Sequence, residues 1–293
     1  MRFNINIHNR NHVLKNILGN LEHIITTVKL NKNELTVVNY HGTQKKFLAN
    51  FETQLRYFKN RFHIISPEML PVFFSGELKH IEKSLLLITF DDGIQNNLYA
   101  AEILNKHNIK AYFFIIPDFI NFPSKNQNEY FLKHIRPIIN KHIDSESEDF
   151  KAISWIDIKK LLNAGHAVGS HTQTHTLVAE KSSIENSVIE IKESKLTIAS
   201  NLNLPIEAVN TFCSINNTLE SVSIKELKLI KENYQYHFTT IPGRNLTTGS
   251  PYFIKRANIE SYWLKGAVKY AIGKWSLKRW LEKSNAYLKN LNS

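Results

Sequence analysis

The sequence predicts an α/β protein built on a parallel sheet. Two continuous apolar runs of strand length, SLLLITF at residues 84–90 and KAYFFII at residues 110–116, indicate strands that are buried on both faces. Segments of helical periodicity alternate with such runs, and a chain of 293 residues can fold as one undivided barrel. We therefore expect a parallel barrel or open sheet, with functional residues on loops at the strands' carboxyl ends.

The first third of the chain predicts two helices and two strands. Apolar residues three and four apart predict an amphipathic helix over residues 12–30. Residues 35–39, LTVVN, predict a strand that ends at Tyr40, His41 and Gly42, and a helix is expected over residues 47–60. The buried strand at 84–90 then follows.

The alternation continues along the rest of the chain. A helix over residues 96–108 joins the two buried strands into a βαβ unit. Later elements are a helix at 155–163, a short strand at 167–170 and a long helix at 183–200. The polar stretch 121–150, with one helix near 130–141, predicts an insertion over the functional site.

Composition limits the classes of partner. There are 37 Lys and Arg against 26 Asp and Glu, so the net charge is 37 − 26 = +11, which favours phospholipid headgroups, phosphorylated sugar carriers or nucleic acid. Since no recognised nucleic-acid motif accompanies this charge, we do not expect nucleic acid as a partner. One cysteine excludes an intrachain disulfide, and neither a signal-peptide core nor a transmembrane run is present. We expect a cytoplasmic protein, and peripheral contact with the inner membrane is compatible with the sequence.

An apolar strand runs directly into Asp91, Asp92 and Gly93. Charged groups at the end of a buried strand need partners or a chemical task, and glycine permits a tight turn there. An Asp before the helix at 96–108 would alternatively cap that helix. Taken alone, the pair fits a structural role as well as a functional one.

Residues 169–175, GSHTQTH, carry His171 and His175. Histidines four residues apart share one face if the segment is a helical turn. Two imidazoles and a carboxylate are a common ligand set for Zn²⁺ or another divalent transition metal. The spacing alone is weak evidence, because the chain has 13 histidines.

The two motifs are more informative together. Both follow β-type segments, so their side chains are expected at the same end of one sheet. One aspartate would bind a metal with His171 and His175, and the other would accept a proton from water. Such a site predicts hydrolysis of an amide or ester.

These residues resemble the polysaccharide deacetylases of carbohydrate esterase family 4, which share the NodB-homology domain. Residues 89–93, TFDDG, and 169–175, GSHTQTH, match two of its motifs, and Trp155, Leu162, Gly165 and the Phe113-Phe114 strand are also similar. The resemblance implies an incomplete (β/α)7 barrel over residues 35–260, with Asp91 as general base and Asp92, His171 and His175 as metal ligands. Residues 1–34 would then be a helical extension and residues 261–293 a basic, aromatic tail.

The chain departs from the family pattern in two places. The stretch expected to hold a base-orienting arginine is FCSINN at 212–217, without arginine, and we expect Arg256 to substitute. A C-terminal Leu-x-His is also missing. Residues 37–42, VVNYHG, are similar to the Tyr-His motif of circularly permuted members such as poly-N-acetylglucosamine deacetylases, which implies that His41 is the general acid. His237 is a rival, and His41 could instead simply pack at a strand end.

The resemblance implies removal of the N-acetyl group from an acetylated sugar, as a free or lipid-linked precursor of a surface polysaccharide or lipopolysaccharide. The alternatives are deformylation or O-deacetylation of a lipid-linked sugar, or a catalytically inactive sugar-binding module. One divalent metal is expected, zinc first, although the same ligands accept cobalt, nickel or iron.

Three further features have simple structural interpretations beside functional ones. Cys213 is expected to be a buried apolar residue rather than a nucleophile. Asn245 could contact sugar hydroxyls or form an ordinary turn. The basic, aromatic residues after 261 could meet a membrane interface or a lipid diphosphate sugar, or pack onto the barrel.

Overall fold

The computed structural model describes Lys15 and residues 34–136, 148–176, 183–215 and 224–272. The predicted helix at 12–30 lies outside the described residues apart from Lys15, as do the end of the predicted helix at 130–141 and the tail beyond residue 272. Among the described residues, none of the helices has the length and apolar character needed to cross a bilayer.

Nine strands in the described ranges form one sheet. They are β1 (Glu34–Tyr40), β2 (His63–Ile64), β3 (Leu85–Phe90), β4 (Tyr112–Ile115), β5 (Ala167–Ser170), β6 (Thr211–Cys213), β7 (Tyr236–Phe238), β8 (Asn245–Leu246) and β9 (Ala257–Asn258). The order is β7-β6-β5-β4-β3-β1-β8, with β2 also beside β3 and β9 also beside β1. Of these strand pairings only β1 with β8 is antiparallel. The sheet curls into a half-barrel, which confirms the predicted α/β class and incomplete barrel.

Nine of the ten described α-helices lie between strands along the chain, and the tenth follows the last described strand. They are α1 (Leu48–Arg61), α2 (Leu70–Ser75), α3 (Asn97–Lys106), α4 (Pro117–Asn121), α5 (Gln127–Tyr130), α6 (Trp155–Asn163), α7 (Ile184–Val188), α8 (Ser194–Leu202), α9 (Ile224–Asn233) and α10 (Lys265–Ile272). The predicted helices at 47–60, 96–108 and 155–163 are confirmed. The long helix predicted at 183–200 is also present, but a π-helical segment, Ile189–Glu193, separates α7 from α8.

The central strands are buried on both faces because alternate side chains enter two apolar clusters. Leu86, Ile88 and Phe90 of β3 face one cluster, and Leu85 and Leu87 face the other. Thr89 and Asp91 continue this second face beyond Leu87. The strand alternation thus turns Asp91 toward the same face of the sheet as Thr89.

Candidate active site

The turn after β3 fixes the two aspartates. The backbone N–H of Asp91 donates to the Tyr40 carbonyl at 2.8 Å, which joins the ends of β1 and β3. Asp92 has a φ of +72° and Gly93 a φ of +61°. A left-handed backbone is strained for a non-glycine residue and often marks a functional site. The helix-cap alternative fails, since the residue at the start of α3 is Asn96, not an aspartate.

Arg256 forms a two-point ion pair with Asp91. Its Nη1 lies 2.7 Å from Oδ1 and its Nη2 lies 3.0 Å from Oδ2, and both side chains are buried. Burial alone would raise the pKa of Asp91, but the Arg256 guanidinium lowers it below its usual value. Asp91 is therefore held as a carboxylate, and its partner is Arg256, the residue that we expect to substitute for the missing base-orienting arginine.

Further polar contacts hold this pair in place. Asn39 donates from Nδ2 to Asp91 Oδ2 at 2.9 Å, and its Oδ1 accepts from Arg256 Nη1 at 3.0 Å. Arg256 Nε donates to the Thr239 carbonyl at 2.8 Å, and its Nη2 lies 2.9 Å from the Cys213 sulfur. Cys213 is buried, and burial raises the pKa of its thiol. The thiol therefore stays protonated, in agreement with the structural interpretation of this residue.

Asp92, His171 and His175 converge with the geometry of a metal centre. Asp92 Oδ1 lies 3.5 Å from Nε2 of each histidine, and one ligand atom from each of the three lies within 4.8 Å of the others. Nδ1–H of His171 donates to the Cys213 carbonyl at 2.9 Å, and that of His175 donates to the His134 carbonyl at 2.9 Å. These bonds fix the tautomer that leaves both Nε2 lone pairs facing Asp92. The donor set therefore fits a divalent transition metal.

The backbone that carries the histidines is a loop, so the helical turn that would place both on one face is not present. Residues 171–176 contain no helix, and Thr172 and His175 have φ values of +69° and +66°. The two imidazoles converge because the loop doubles back, and their ring centroids lie 5.2 Å apart. The two imidazoles therefore meet as the four-residue spacing suggested, but the loop brings them together and not a helical turn.

Glu190, which the sequence gave no reason to single out, holds this loop. Its Oε2 accepts from the backbone N–H groups of Gln173 and Thr174 at 3.0 Å each, and its Oε1 accepts from the Thr174 hydroxyl at 2.6 Å. The Gln173 side chain also donates to Asp118 at 2.6 Å. Glu190 is buried in the π-helical segment, a type of distortion that frequently accompanies functional sites.

The three possible metal ligands differ in the direction in which the protein shifts their pKa values. Burial would raise the pKa of Asp92, but Arg136 and the two histidines hold it well below its usual range. Burial lowers the pKa of His175 to about 4. Burial would also lower the pKa of His171, yet the neighbouring acidic groups, including Asp91 and Asp92, raise it.

His41 borders a cavity of about 220 Å³ above this group. Its Nδ1 lies 3.2 Å from Glu260 Oε1, so this carboxylate orients the ring, and both residues line the cavity. The rival His237 is completely buried, with Nε2 bonded to the Ser214 hydroxyl and Nδ1 to the Tyr252 carbonyl at 3.1 Å. The geometry therefore favours His41 over His237 as the group that reaches a ligand.

The walls of the cavity contain a cation that the sequence analysis missed. Arg136 Nη2 lies 3.4 Å from Asp92 Oδ2, on the side of that carboxylate opposite the oxygen nearest the histidines. The remaining walls combine apolar rings and polar groups, and the full lining is His41, Gly42, Gln44, Phe47, Asp92, Ile94, Asn96, Phe131, Arg136, Phe150, Glu260, Ser261 and Tyr262. Aromatic rings beside hydrogen-bonding groups suit a sugar, which has apolar faces and polar edges.

Asn245 lies outside this cavity and has a structural role. Its Nδ2 donates to the carbonyls of Leu35 and Lys255 at 3.2 and 3.0 Å, and its Oδ1 accepts from the Lys255 N–H at 2.9 Å. These bonds join β8 to β1 and to the segment that precedes Arg256. The sugar-contact alternative for Asn245 is therefore not supported.

Residues 79–213 match the family model described as polysaccharide deacetylase. This part of the chain is similar to polysaccharide deacetylases. The matched range contains Asp91, Asp92, His171 and His175, whereas His41 and Arg256 lie outside it. None of the curated proteins compared with the chain matches it.

Solved structures of deacetylases have the same fold. The Streptococcus pyogenes deacetylase PplD, in complex with acetate, is 17% identical with a TM-score of 0.62, over 83% of this chain and 100% of that one. IcaB from Ammonifex degensii is 18% identical with a TM-score of 0.57, over 82% and 98%. A polysaccharide deacetylase from Bacillus cereus is 23% identical with a TM-score of 0.57, over 82% and 69%. At these identities the likeness establishes the deacetylase fold.

Proposed function

We propose that this protein is a metal-dependent hydrolase that removes the N-acetyl group from an acetylated amino sugar. The substrate would be a free or lipid-linked precursor of a surface polysaccharide or lipopolysaccharide. The observation that carries the proposal is that Asp92, His171 and His175 present a set of possible metal ligands beside Asp91. Asp92 also lines the cavity that His41 borders.

The proposed metal ligands are Asp92 Oδ1, His171 Nε2 and His175 Nε2. The chemistry that a divalent ion supplies is Lewis acidity, which polarises an amide carbonyl and favours ionisation of water. Zinc is the first candidate because carboxylate and imidazole ligands suit it, and cobalt, nickel and iron fit the same set. Three protein ligands leave coordination positions open for water and substrate.

Asp91 would accept the proton of the attacking water. Its Oδ2 lies 3.8 Å from His171 Nε2, so the base is adjacent to the ligand group without being part of the Asp92 set. The ion pair with Arg256 keeps Asp91 ionised and prevents rotation of its carboxylate. Asp91 Oδ2 already accepts from Arg256 and Asn39, whereas Oδ1 accepts from Arg256 and only distantly, at 3.9 Å, from the Cys213 thiol. Oδ1 is therefore the oxygen with capacity left to accept a proton.

His41 would donate a proton to the departing amine. An amide nitrogen leaves poorly unless it is protonated, so the reaction needs an acid on the far side of the scissile bond from the base. Glu260 would accept from Nδ1–H of His41 and orient the ring, and Nε2 would then be the nitrogen that faces the leaving group. Phe47 and Tyr262 line the cavity near His41, where they can pack against a sugar face.

Acetate release from oligosaccharides of N-acetylglucosamine tests the proposal. The wild-type protein should release acetate, lose activity when a chelator removes the metal, and regain it when zinc is added. Formate from N-formyl sugars, or acetate from O-acetyl sugars alone, would replace the proposal with the deformylase or O-deacetylase alternative. Binding of the oligosaccharides without any product, with zinc bound, would instead identify a sugar-binding module.

A further inference from the structure

A groove between α1 and α10 concentrates positive charge outside the active-site cavity. It encloses about 420 Å³ and is lined by Thr53, Arg56, Tyr57, Asn60, Arg61, Lys265 and Lys269, a set that we call the basic pocket. Four of these seven side chains are cations, and none of the described lining residues carries a carboxylate. The charge pattern therefore favours an anion as ligand.

The lysines of the basic pocket repel one another. Lys265 and Lys269 are four residues apart on α10, so they share one face of the helix, and like charges at this spacing destabilise a helix. Their Nζ atoms lie 5.7 and 5.9 Å from the centroid of the same Tyr57 ring. Burial, and then the charge of Lys265, lower the pKa of Lys269. A bound anion would relieve this repulsion, because the described residues that line the pocket include no acidic side chain.

The pocket is a built feature of the fold rather than a chance crossing of long side chains. The other face of α10 buries Ala267, Val268 and Ile272, which fixes the helix against the barrel. Asn50 and Gln54 of α1 donate to the Trp263 carbonyl at 2.8 and 2.7 Å, which fixes the two helices relative to each other. The positions of the cations are therefore set by packed backbone.

The donors in the pocket match a phosphate group. An arginine presents a planar fork of N–H donors that suits phosphate oxygens, and a lysine adds a compact charge. Arg56 Nη2 donates to Thr53 Oγ1 at 3.0 Å, so that guanidinium is already oriented at the pocket, and Asn60 adds a neutral donor. We propose that the basic pocket is a phosphate-binding site.

The site is distinct from the proposed catalytic centre. Phe47, at the start of α1, lines the active-site cavity, and Arg56 lies nine residues further along, about 13 Å at the rise of an α-helix. A phosphate bound there is too far away to be the reacting group. The phosphate could belong to a lipid headgroup or to a soluble molecule, and binding requires no deacetylase activity.

Two binding measurements on the full-length protein test the proposal. Calorimetric titration with inorganic phosphate measures the soluble source, and co-sedimentation with phosphatidylglycerol vesicles, against phosphatidylcholine vesicles, measures the headgroup source. The test variant is Lys265→Gln/Lys269→Gln. The control, Lys59→Gln/Lys79→Gln, removes the same charge from exposed lysines outside the pocket.

We expect the wild type and the control to bind at least one probe, and the test variant to bind it at least tenfold more weakly. If the wild type binds inorganic phosphate but not vesicles, the site takes a soluble phosphate. If it binds phosphatidylglycerol vesicles and the test variant binds them more weakly than the control does, the site takes a lipid headgroup. Circular dichroism and a thermal melt establish that the variants are folded. No binding of either probe by the wild type, or equal weakening in the test and control variants, would overturn the proposal.

Discussion

Arg256 neutralises Asp91 inside the half-barrel through two parallel contacts of 2.7 and 3.0 Å, although the two residues are 165 positions apart in the chain. Each group is almost inaccessible to water, so neither would be tolerated there as an unpaired charge. The pair thereby links the stability of the fold to the ionisation state of the proposed base.

Replacing Arg256 with Gln should change the pH dependence of activity in a defined direction. Without the guanidinium, burial of Asp91 dominates and its pKa rises, so the base becomes protonated at a higher pH. The acid limb of the kcat/KM profile for acetate release should move to higher pH, and activity at neutral pH should fall by about a hundredfold or more. Arg256→Lys, which keeps the charge but loses the two-point geometry, should show an intermediate shift. An unshifted acid limb in Arg256→Gln would contradict this role.

The same substitution should change the pH dependence of stability. In the wild type the pKa of Asp91 is lower when folded than when unfolded, so its contribution is present above the unfolded pKa of about 3.9 and disappears as the pH falls through the folded value. In Arg256→Gln the folded pKa lies above the unfolded one, and stability should fall as the pH rises. Urea unfolding at pH 5 and pH 8 measures this difference. Breaking a buried pair costs about 3–5 kcal/mol in the free energy of unfolding. A variant that is equally stable at both pH values would contradict the expected sign of the pH dependence.

Glu190 should control metal affinity without being a ligand. Glu190→Gln replaces one acceptor of backbone N–H groups by an N–H₂ donor, which loosens the loop between His171 and His175. We expect zinc affinity to fall about 10- to 100-fold, as for other losses of groups that orient metal ligands. Equilibrium dialysis with a competing chelator measures it. Glu193→Gln, an exposed position on the same π-helical segment, is the matched control and should retain wild-type affinity.

The loss of activity on replacing His41 should depend on whether the leaving group needs a proton. His41→Gln should slow acetate release from an N-acetyl sugar by about 10²- to 10⁴-fold, since the amine must leave with a proton. Hydrolysis of 4-nitrophenyl acetate, whose phenolate leaves unprotonated, should fall by about tenfold at most. Steady-state kinetics on both substrates measures the difference. His107→Gln, which removes an imidazole paired with Glu52 outside the cavity, controls for a general effect. Equal losses on the two substrates would contradict an acid role.

Gly169 should be required for close packing of the barrel interior. A Cβ at this position would lie 2.3 Å from Thr211 Oγ1 and 2.6 Å from a Phe114 ring carbon. Gly169→Ala must therefore shift β5, β6 or the ring, at a cost of about 1–3 kcal/mol in the free energy of unfolding. Because His171 follows two residues later, zinc affinity should fall as well. Chemical unfolding of the metal-free protein isolates the packing cost, and unchanged stability there would contradict it.

The sequence predicted those parts of the site that depend on strand ends. Strand periodicity located Asp91 and His171 at the same edge of the sheet, because parallel strands present their carboxyl ends together. For these two residues a local pattern and the rules of sheet topology were sufficient. Arg256 was singled out only because the family resemblance left the stretch near Phe212 without an arginine, and its role is a proposal.

The rest of the site depends on conformations that residue identity does not specify. The loop after β5 places its histidines by left-handed residues, Thr172 and His175, and not by the helical turn that their spacing would have required. Glu190, Arg136 and Glu260 reach the site from segments with no distinguishing motif, since a lone Glu or Arg in a polar stretch looks like any solvated residue. Only the folded chain shows which of them are buried or face the cavity.

The separate roles of the adjacent aspartates are the central claim, and the zinc content of Asp91→Asn and Asp92→Asn tests it most directly. Both variants should lose acetate release. Asp91→Asn should retain close to one zinc per chain, because Asp91 lies beside the ligand set, whereas Asp92→Asn should lose most of its zinc at the same free zinc concentration. Equal zinc content in the two variants, or loss mainly in Asp91→Asn, would contradict the assignment of base and ligand.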